Sequence, residues 1–299
     1  MPRFLTHPNP YLLLFLTVLF WSGNMVIARG VHEAVPPIAL AFWRWMIALA
    51  LVLPFALPHL KSQLAELKRN WRILVLLGLF SVGCYNTFVY IALQSTTATN
   101  ATMLNSFIPV ATIVFAFALM GKRLTRLEAA GAALSLIGVM VIVARGELDT
   151  LLGLSLNRGD VWMMLAVLSW GLYTVGLNWR PKNMHPMLML AALTVVGLAV
   201  LTPAYAWELG TGKQIELSTG TLIAIVYIGI FPGFLGYVFY NAGVAAVGPS
   251  RGALFIHLMP VFGTILAVIF LGERPLWFHF VGISLVFAGI FLTTRKPNV

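Results

Sequence analysis

The sequence predicts an all-α integral membrane protein: ten transmembrane helices in two inverted five-helix repeats, with the N and C termini cytoplasmic. Three observations predict it. Of 299 residues, 60% are apolar and only 9% charged, whereas soluble domains carry about 25% charged residues. The apolar residues gather into long continuous runs. The second half of the chain repeats a pattern of the first in fixed register.

The runs lie at 11–29, 37–58, 72–93, 99–120, 125–144, 159–179, 186–206, 219–245, 249–271 and 276–294. A spanning helix needs about 20 apolar residues, so ten leave only tails and short loops and no room for a soluble catalytic domain. Barrel strands would alternate with period two, which these runs do not. Backbone groups in hydrocarbon must be satisfied within the segment, so the runs are helices. The first run is long and lacks a small-x-small exit, so it reads as span 1 and not as a cleavable signal peptide.

Lysine and arginine set the orientation. With the N-terminus inside, the inner segments hold Arg3, Lys61, Lys68, Arg69, Arg72, Lys122, Arg123, Arg126, Arg180, Lys182, Arg251, Arg295 and Lys296. The outer segments hold Arg29, Arg145, Arg158, Lys213 and Arg274. The positive-inside rule therefore places both termini in the cytoplasm. The net charge of +10 is topology information here, because the bases do not form the aromatic-interleaved patch of a nucleic-acid binder. Cys84 is the single cysteine, and the six histidines show no metal-ligand spacing, so neither a metal nor a cofactor is expected.

Gly78, Phe80, Phe88, Pro109, Val110, Ala116, Gly121, Arg123, Gly131, Leu134 and Gly138 all recur identically 151 positions later. Leu16-x-Val18-Leu19-x-Trp21 recurs 149 positions on as Leu165-x-Val167-Leu168-x-Trp170. The halves are thus 1–150 and 151–299. Five spans is an odd number, so the second half enters the membrane upside down. Gly121-Lys122-Arg123 inside against Gly272-Glu273-Arg274 outside fits that inversion, a base replacing an acid on the cytoplasmic copy. Inverted repeats are the architecture of secondary transporters, with a substrate site near the midplane between the repeats.

Pro260-Val261 through Leu271-Gly272-Glu273-Arg274, with Gly282 and Gly289, resembles the EamA repeat of the drug/metabolite transporter superfamily. Trp21-Ser22-Gly23-Asn24, Arg44 and Gly248-Pro249-Ser250-Arg251 are similar to that family's pattern, most of all to YddG-type amino-acid exporters of bacterial inner membranes. The resemblance implies a central cavity lined by spans 1–4 and 6–9, with spans 5 and 10 peripheral. It further implies export of amino acids or related metabolites. One departure is Lys122, where the family usually has Glu in the first repeat; topology accounts for it.

The candidate binding residues are polar or aromatic and sit at membrane depth. Trp21 and Trp170 are repeat mates far from the interfacial belts where tryptophan concentrates, and Asn24 and Tyr173 lie one turn on, on the same faces. Tyr85, Asn86 and Tyr90 mark span 3; Tyr237, Tyr240 and Asn241 mark span 8. Asn100, Asn105 and Ser106 make span 4 polar, and His257 does so for span 9. Such side chains suit an amino-acid site, and they equally suit hydrogen bonding and packing between helices. Arg44, about 10 Å into span 2 at 1.5 Å per residue, must face a cavity or a neutral partner such as Asn or a backbone carbonyl. A substrate carboxylate is the functional alternative to snorkelling.

Pro109 and Pro260, matched mid-helix, and Pro232-Gly233 in span 8 are candidate hinges, since proline removes a helical hydrogen bond. No acidic residue falls in the middle of a span, which argues against a carboxylate proton relay and for facilitated or exchange transport by alternating access. Multidrug or nucleoside export and proton antiport remain alternatives. A channel lacks a filter or charge ring here, and no nucleophile–base pair marks an enzyme. The expected partners are a small solute and the bilayer, with no nucleic acid and no obligate protein partner.

Overall fold

The computed structural model describes residues 9–96, 98–144, 146–147, 157–271 and 276–294. The turn at 272–274, Arg145 and the Asn100 side chain lie outside the described residues, so the inside–outside contrast of the two glycine turns is not visible. The described residues form helices α1 (Pro10–Gly30), α2 (Pro37–Arg69), α3 (Trp71–Ala92), α4 (Ala98–Asn105 and Ile108–Met120), α5 (Arg126–Val143), α6 (Arg158–Trp179), α7 (Pro186–Gly210), α8 (Thr219–Val247), α9 (Pro249–Leu254, Phe255–Leu258 and Met259–Leu271) and α10 (Trp277–Thr294). Among the described residues there is no strand, and nine helices are long and apolar enough to cross a membrane.

Local sequence starts and stops these helices. Asn9 accepts from the Tyr11 amide ahead of Pro10, and Thr125 with Glu128 and Asn157 with Asp160 form reciprocal capping boxes on α5 and α6, satisfying amides that a helix start leaves orphaned. Gly121 ends α4 at φ +65°, a left-handed conformation that favours glycine. The start of α2 has no cap of its own, since Pro36 cannot supply one. Glu208 from the far end of α7 does so instead, its carboxylate accepting from the Ile38 and Ala39 amides at 3.2 and 2.7 Å.

Three expectations are corrected. The second run, expected to end at residue 58, continues as helix to Arg69, and Pro54 and Pro58 lie inside it. Its 33 residues span about 50 Å at 1.5 Å each, longer than a hydrocarbon core, so its last turns carry their bases beyond it. Pro109 and Pro260 are not mid-helix. Each stands second in a helical piece, after a turn at 106–107 in α4 and a 3-10 turn at Phe255–Leu258 in α9. Proline is tolerated in a first turn because its missing N–H would be unpaired there anyway.

α5 and α10 pack tightly on each other. A Cβ on Gly131 would come within 2.6 Å of the Gly289 carbonyl, and one on Gly138 within 2.7 Å of Gly282's. Each glycine of one helix opposes the other glycine of its partner, an antiparallel and reciprocal crossing. Large apolar side chains such as Phe55, Trp207, Ile223 and Phe287 stay exposed, as lipid-facing residues do, while aromatic and amide side chains from α1, α2, α3, α6 and α8 fill the centre.

Candidate substrate site

The centre is built around two interruptions of helical regularity. Residues Leu79–Tyr85 of α3 and Gly229–Leu235 of α8 wind as π-helix, a form frequent at functional sites. In α8 the Gly236 amide reaches back five residues to the Phe231 carbonyl, so the Pro232 carbonyl loses its ordinary donor. Side chains take it over. Trp21 donates its indole N–H to it at 3.1 Å and Arg44 a guanidinium N–H at 2.9 Å. The matching carbonyl in α3, Ser81, accepts the Tyr237 hydroxyl at 3.0 Å.

Small residues make room for these contacts. A Cβ on Gly236 would lie 2.7 Å from the Trp21 indole nitrogen. At Gly233 it would lie 3.0 Å from the Ile228 carbonyl and 3.5 Å from the Arg44 stem.

Trp21 and Trp170 meet edge to face with ring centroids 4.9 Å apart. Around them sit Tyr240, 5.0 Å from Trp21, and Tyr85, 4.5 Å from Trp170; Tyr237 packs on Trp170 at 5.4 Å and on Trp45 at 4.7 Å. Such edge-on and offset pairs each add about 0.5–1.5 kcal/mol to area burial. Trp170, Tyr173, Tyr237 and Tyr240 are 0% exposed, so no water-sized void touches them. The residues expected around an open midplane cavity are, in this conformation, packed on one another.

The hydroxyls are tied off. Tyr85 donates to Asn105 at 3.1 Å, and Asn86 donates to Tyr237 at 3.1 Å. Trp170 donates to Tyr240 at 3.3 Å, and Tyr240 in turn pairs with Thr174 at 2.9 Å.

Arg44 lies at one edge of this cluster, 1% exposed. It donates to Asn24 at 3.1 Å and to the Tyr90 hydroxyl at 2.8 Å, and Tyr90 itself donates to Asn24 at 2.9 Å. All these partners are neutral. Among the described residues the ion pairs are Arg251–Glu128 at 3.2 Å and the exposed His32–Glu33 contact, so Arg44 has no counter-ion. Its Nε and the neighbouring Trp45 indole N–H are buried without acceptors. A buried charge so placed is costly unless compensated.

At another edge Tyr173 donates to Asn241. The structure therefore brings Trp21, Asn24, Arg44, Tyr85, Asn86, Tyr90, Asn105, Trp170, Tyr173, Tyr237, Tyr240 and Asn241 into one connected network. His257 stands apart from it. Its Nε2 donates to the Ser106 carbonyl at 2.9 Å, which leaves Nδ1 to accept from Ser135 at 2.6 Å. Both ring nitrogens are thus spent on tying α9 to α4 and α5. Pro232 and Gly233 fall in the α8 π-turn, where the sequence placed a weak point.

Sequence reasoning missed Trp45, the two π-turn carbonyls and Glu208. The uncapped Pro36-Pro37 start signals that an acceptor is needed there, but not which residue supplies it.

Comparison with known proteins gives the fold a context. A relative from Archaeoglobus fulgidus described as an uncharacterized transporter is 30% identical over 96% of this chain and 98% of its own. A probable terminal-alkyne amino-acid exporter of Streptantibioticus cattleyicolor is 24% identical over 95% and 92%, and a chloroplastic WAT1-related protein of Arabidopsis thaliana is 25% identical over 94% and 68%. A solved crystal structure superposes with a TM-score of 0.74 at 20% identity, covering 95% of this chain and 97% of that one. The EamA-like transporter family matches twice, over residues 9–144 and again over 157–295. The chain is an integral membrane protein and belongs to the EamA-like transporter family.

Proposed function

We propose that this protein exports amino acids, or related small metabolites bearing a carboxylate, across a bacterial inner membrane by alternating access. The observation that carries the reading is Arg44: a fully buried guanidinium held by neutral groups, with no carboxylate among the described residues paired to it, beside a cluster of aromatic rings. A solute carboxylate supplies the missing charge, and the rings accommodate varied side chains. The amino-acid exporter among the relatives supports this substrate class.

In this reading α9 is the tenth crossing, both termini are cytoplasmic, and 1–150 and 151–299 form inverted repeats about a pseudo-two-fold axis in the membrane plane. Two sets of contacts support that axis. Asn86 bonds Tyr237, its own repeat mate 151 residues away. The α5–α10 glycines oppose each other reciprocally, as a two-fold relation requires. The π-turns of α3 and α8 and the breaks in α4 and α9 would be the places where the halves bend. With no acid in the middle of a span, the carrier works by facilitation or exchange.

Counterflow into proteoliposomes, run across the twenty amino acids, tests the proposal. At least one should exchange saturably in wild type and not in Arg44→Gln. Equal counterflow by Arg44→Gln, or export of solutes without any anionic group, would remove its basis.

A further inference from the structure

We infer that the crevice between the 180–187 segment and the end of α8 is a second binding site, a shallow loading site for an organic anion with an apolar body. The inference rests on the transport reading and deepens it by adding a route to the central cluster. The crevice encloses about 580 Å³, within the range of small-molecule sites. Arg180, Lys182, Met184, Met187, Asn241 and Ala245 are among the residues lining it.

Its chemistry is one-sided. No acid lines the crevice, whereas a guanidinium, an ammonium and an amide do. Among the described residues Arg180 makes a hydrogen bond only to the Leu177 carbonyl, at 2.9 Å, and neither it nor Lys182 joins an ion pair. Asn241 spends its Oδ1 on the Tyr173 hydroxyl, while its Nδ2 has no acceptor among the described residues and is not sealed from the crevice. Two cations without an ion pair and an amide with a spare donor call for an anion. The methionine thioethers and small alanines of the walls give an apolar lining that adapts to different shapes. A lipid tail would leave the amide unpaired, at a cost.

Asn241 also marks where the site leads. Through Tyr173, whose ring lies 5.0 Å from Trp170, it is the last polar group before the aromatic cluster. A carboxylate solute held at Arg180 and Asn241 stands on one side of the rings and Arg44 on another, so loading and deep binding use separate cations.

The test is protection of a cysteine in the crevice. Ala245→Cys, or Ala242→Cys if the first folds poorly, is made in a Cys84→Ser background and reconstituted in phosphatidylcholine nanodiscs. Saturating 3-phenylpropionate should slow maleimide modification at least about fivefold by mass action, and phenethylamine should not. Arg180→Gln with Lys182→Gln should raise the half-protecting concentration about tenfold. Arg44→Gln should keep the protection while losing counterflow.

Equal protection by phenethylamine, no change in the Gln variant, or protection by added phosphatidylglycerol in place of the carboxylate would overturn the site. Counterflow without any protection would also overturn it and leave the carrier reading standing. Protection without counterflow would support the site while removing the carrier reading.

Discussion

The two halves carry the same hydrogen bond with its ends exchanged. In the first, Tyr90 of α3 donates to Asn24 of α1; in the second, Tyr173 of α6 donates to Asn241 of α8. Asn24 and Tyr173 hold equivalent positions, as do Tyr90 and Asn241, so the pair survives while donor and acceptor change places. The difference lies next door. Arg44 joins the first pair, and the equivalent residue of the second half, 149 positions on, is the buried Leu193. A shared scaffold therefore frames one pair joined directly by a buried charge and one pair that is not.

The largest expected effect breaks this asymmetry. Arg44→Gln should lower transport efficiency about 100-fold, the loss of one charge-assisted contact of roughly 2–3 kcal/mol. Leu193→Met conserves volume and should keep efficiency within about twofold. Equal losses in the two variants would mean that the charge has no part in transport.

A smaller contrast separates the two tyrosines. Tyr90→Phe strips a partner from a buried cation and should cost about tenfold in uptake, whereas Tyr173→Phe removes one neutral bond and should cost about threefold. Initial rates of exchange with a radiolabelled solute read both.

The glycine crossing should behave the other way, with no difference between halves. Gly131→Ala and Gly282→Ala each force a methyl against opposing backbone and should destabilise by about 1–3 kcal/mol. Thermal unfolding should place the two losses close to each other. A large inequality would contradict the two-fold relation.

The smallest effect concerns the α2–α7 contact. The His59 and His185 rings stack 3.8 Å apart. Burial and then the neighbouring His59 hold the His185 imidazole below its ordinary pKa of 6.5. A depressed histidine favours the neutral ring when docked. As pH falls below 6.5 the detached state takes up the proton first, so stability declines there and is full above it. A mild drop in melting temperature between pH 7.5 and 5.5, smaller in His59→Phe, is expected.

Much of the fold was legible because hydrophobic run length depends only on local composition: α1, α5 and α10 begin and end within two residues of expectation. The overrun of α2 was not, since Pro58 reads as a stop, although the leucines, lysines, alanine and glutamate beyond it are good helix formers. For Arg44, the sequence indicated, besides a cavity or a solute carboxylate, amide and carbonyl groups as the neutral partners available, because no acid falls in the middle of a span. It could not say which carbonyl, because the π-turn that frees Pro232 leaves no trace in periodicity. His257 shows the converse. A polar residue in a span announces that it has a partner, but not whether that partner is a solute or, as here, Ser106 and Ser135.

Glu208 has a mechanical consequence. Its carboxylate clasps the start of α2, and His59, 149 positions before Glu208, stacks on His185 between the same two helices at the opposite end. Prying α2 from α7 would strip two amides of a charged acceptor, at about 1.5–3 kcal/mol each. Pinned at both ends, α2 and α7 are tied into one strut. Arg44 sits on that strut, so the alternating access proposed above would swing the buried charge together with a helix of the opposite half.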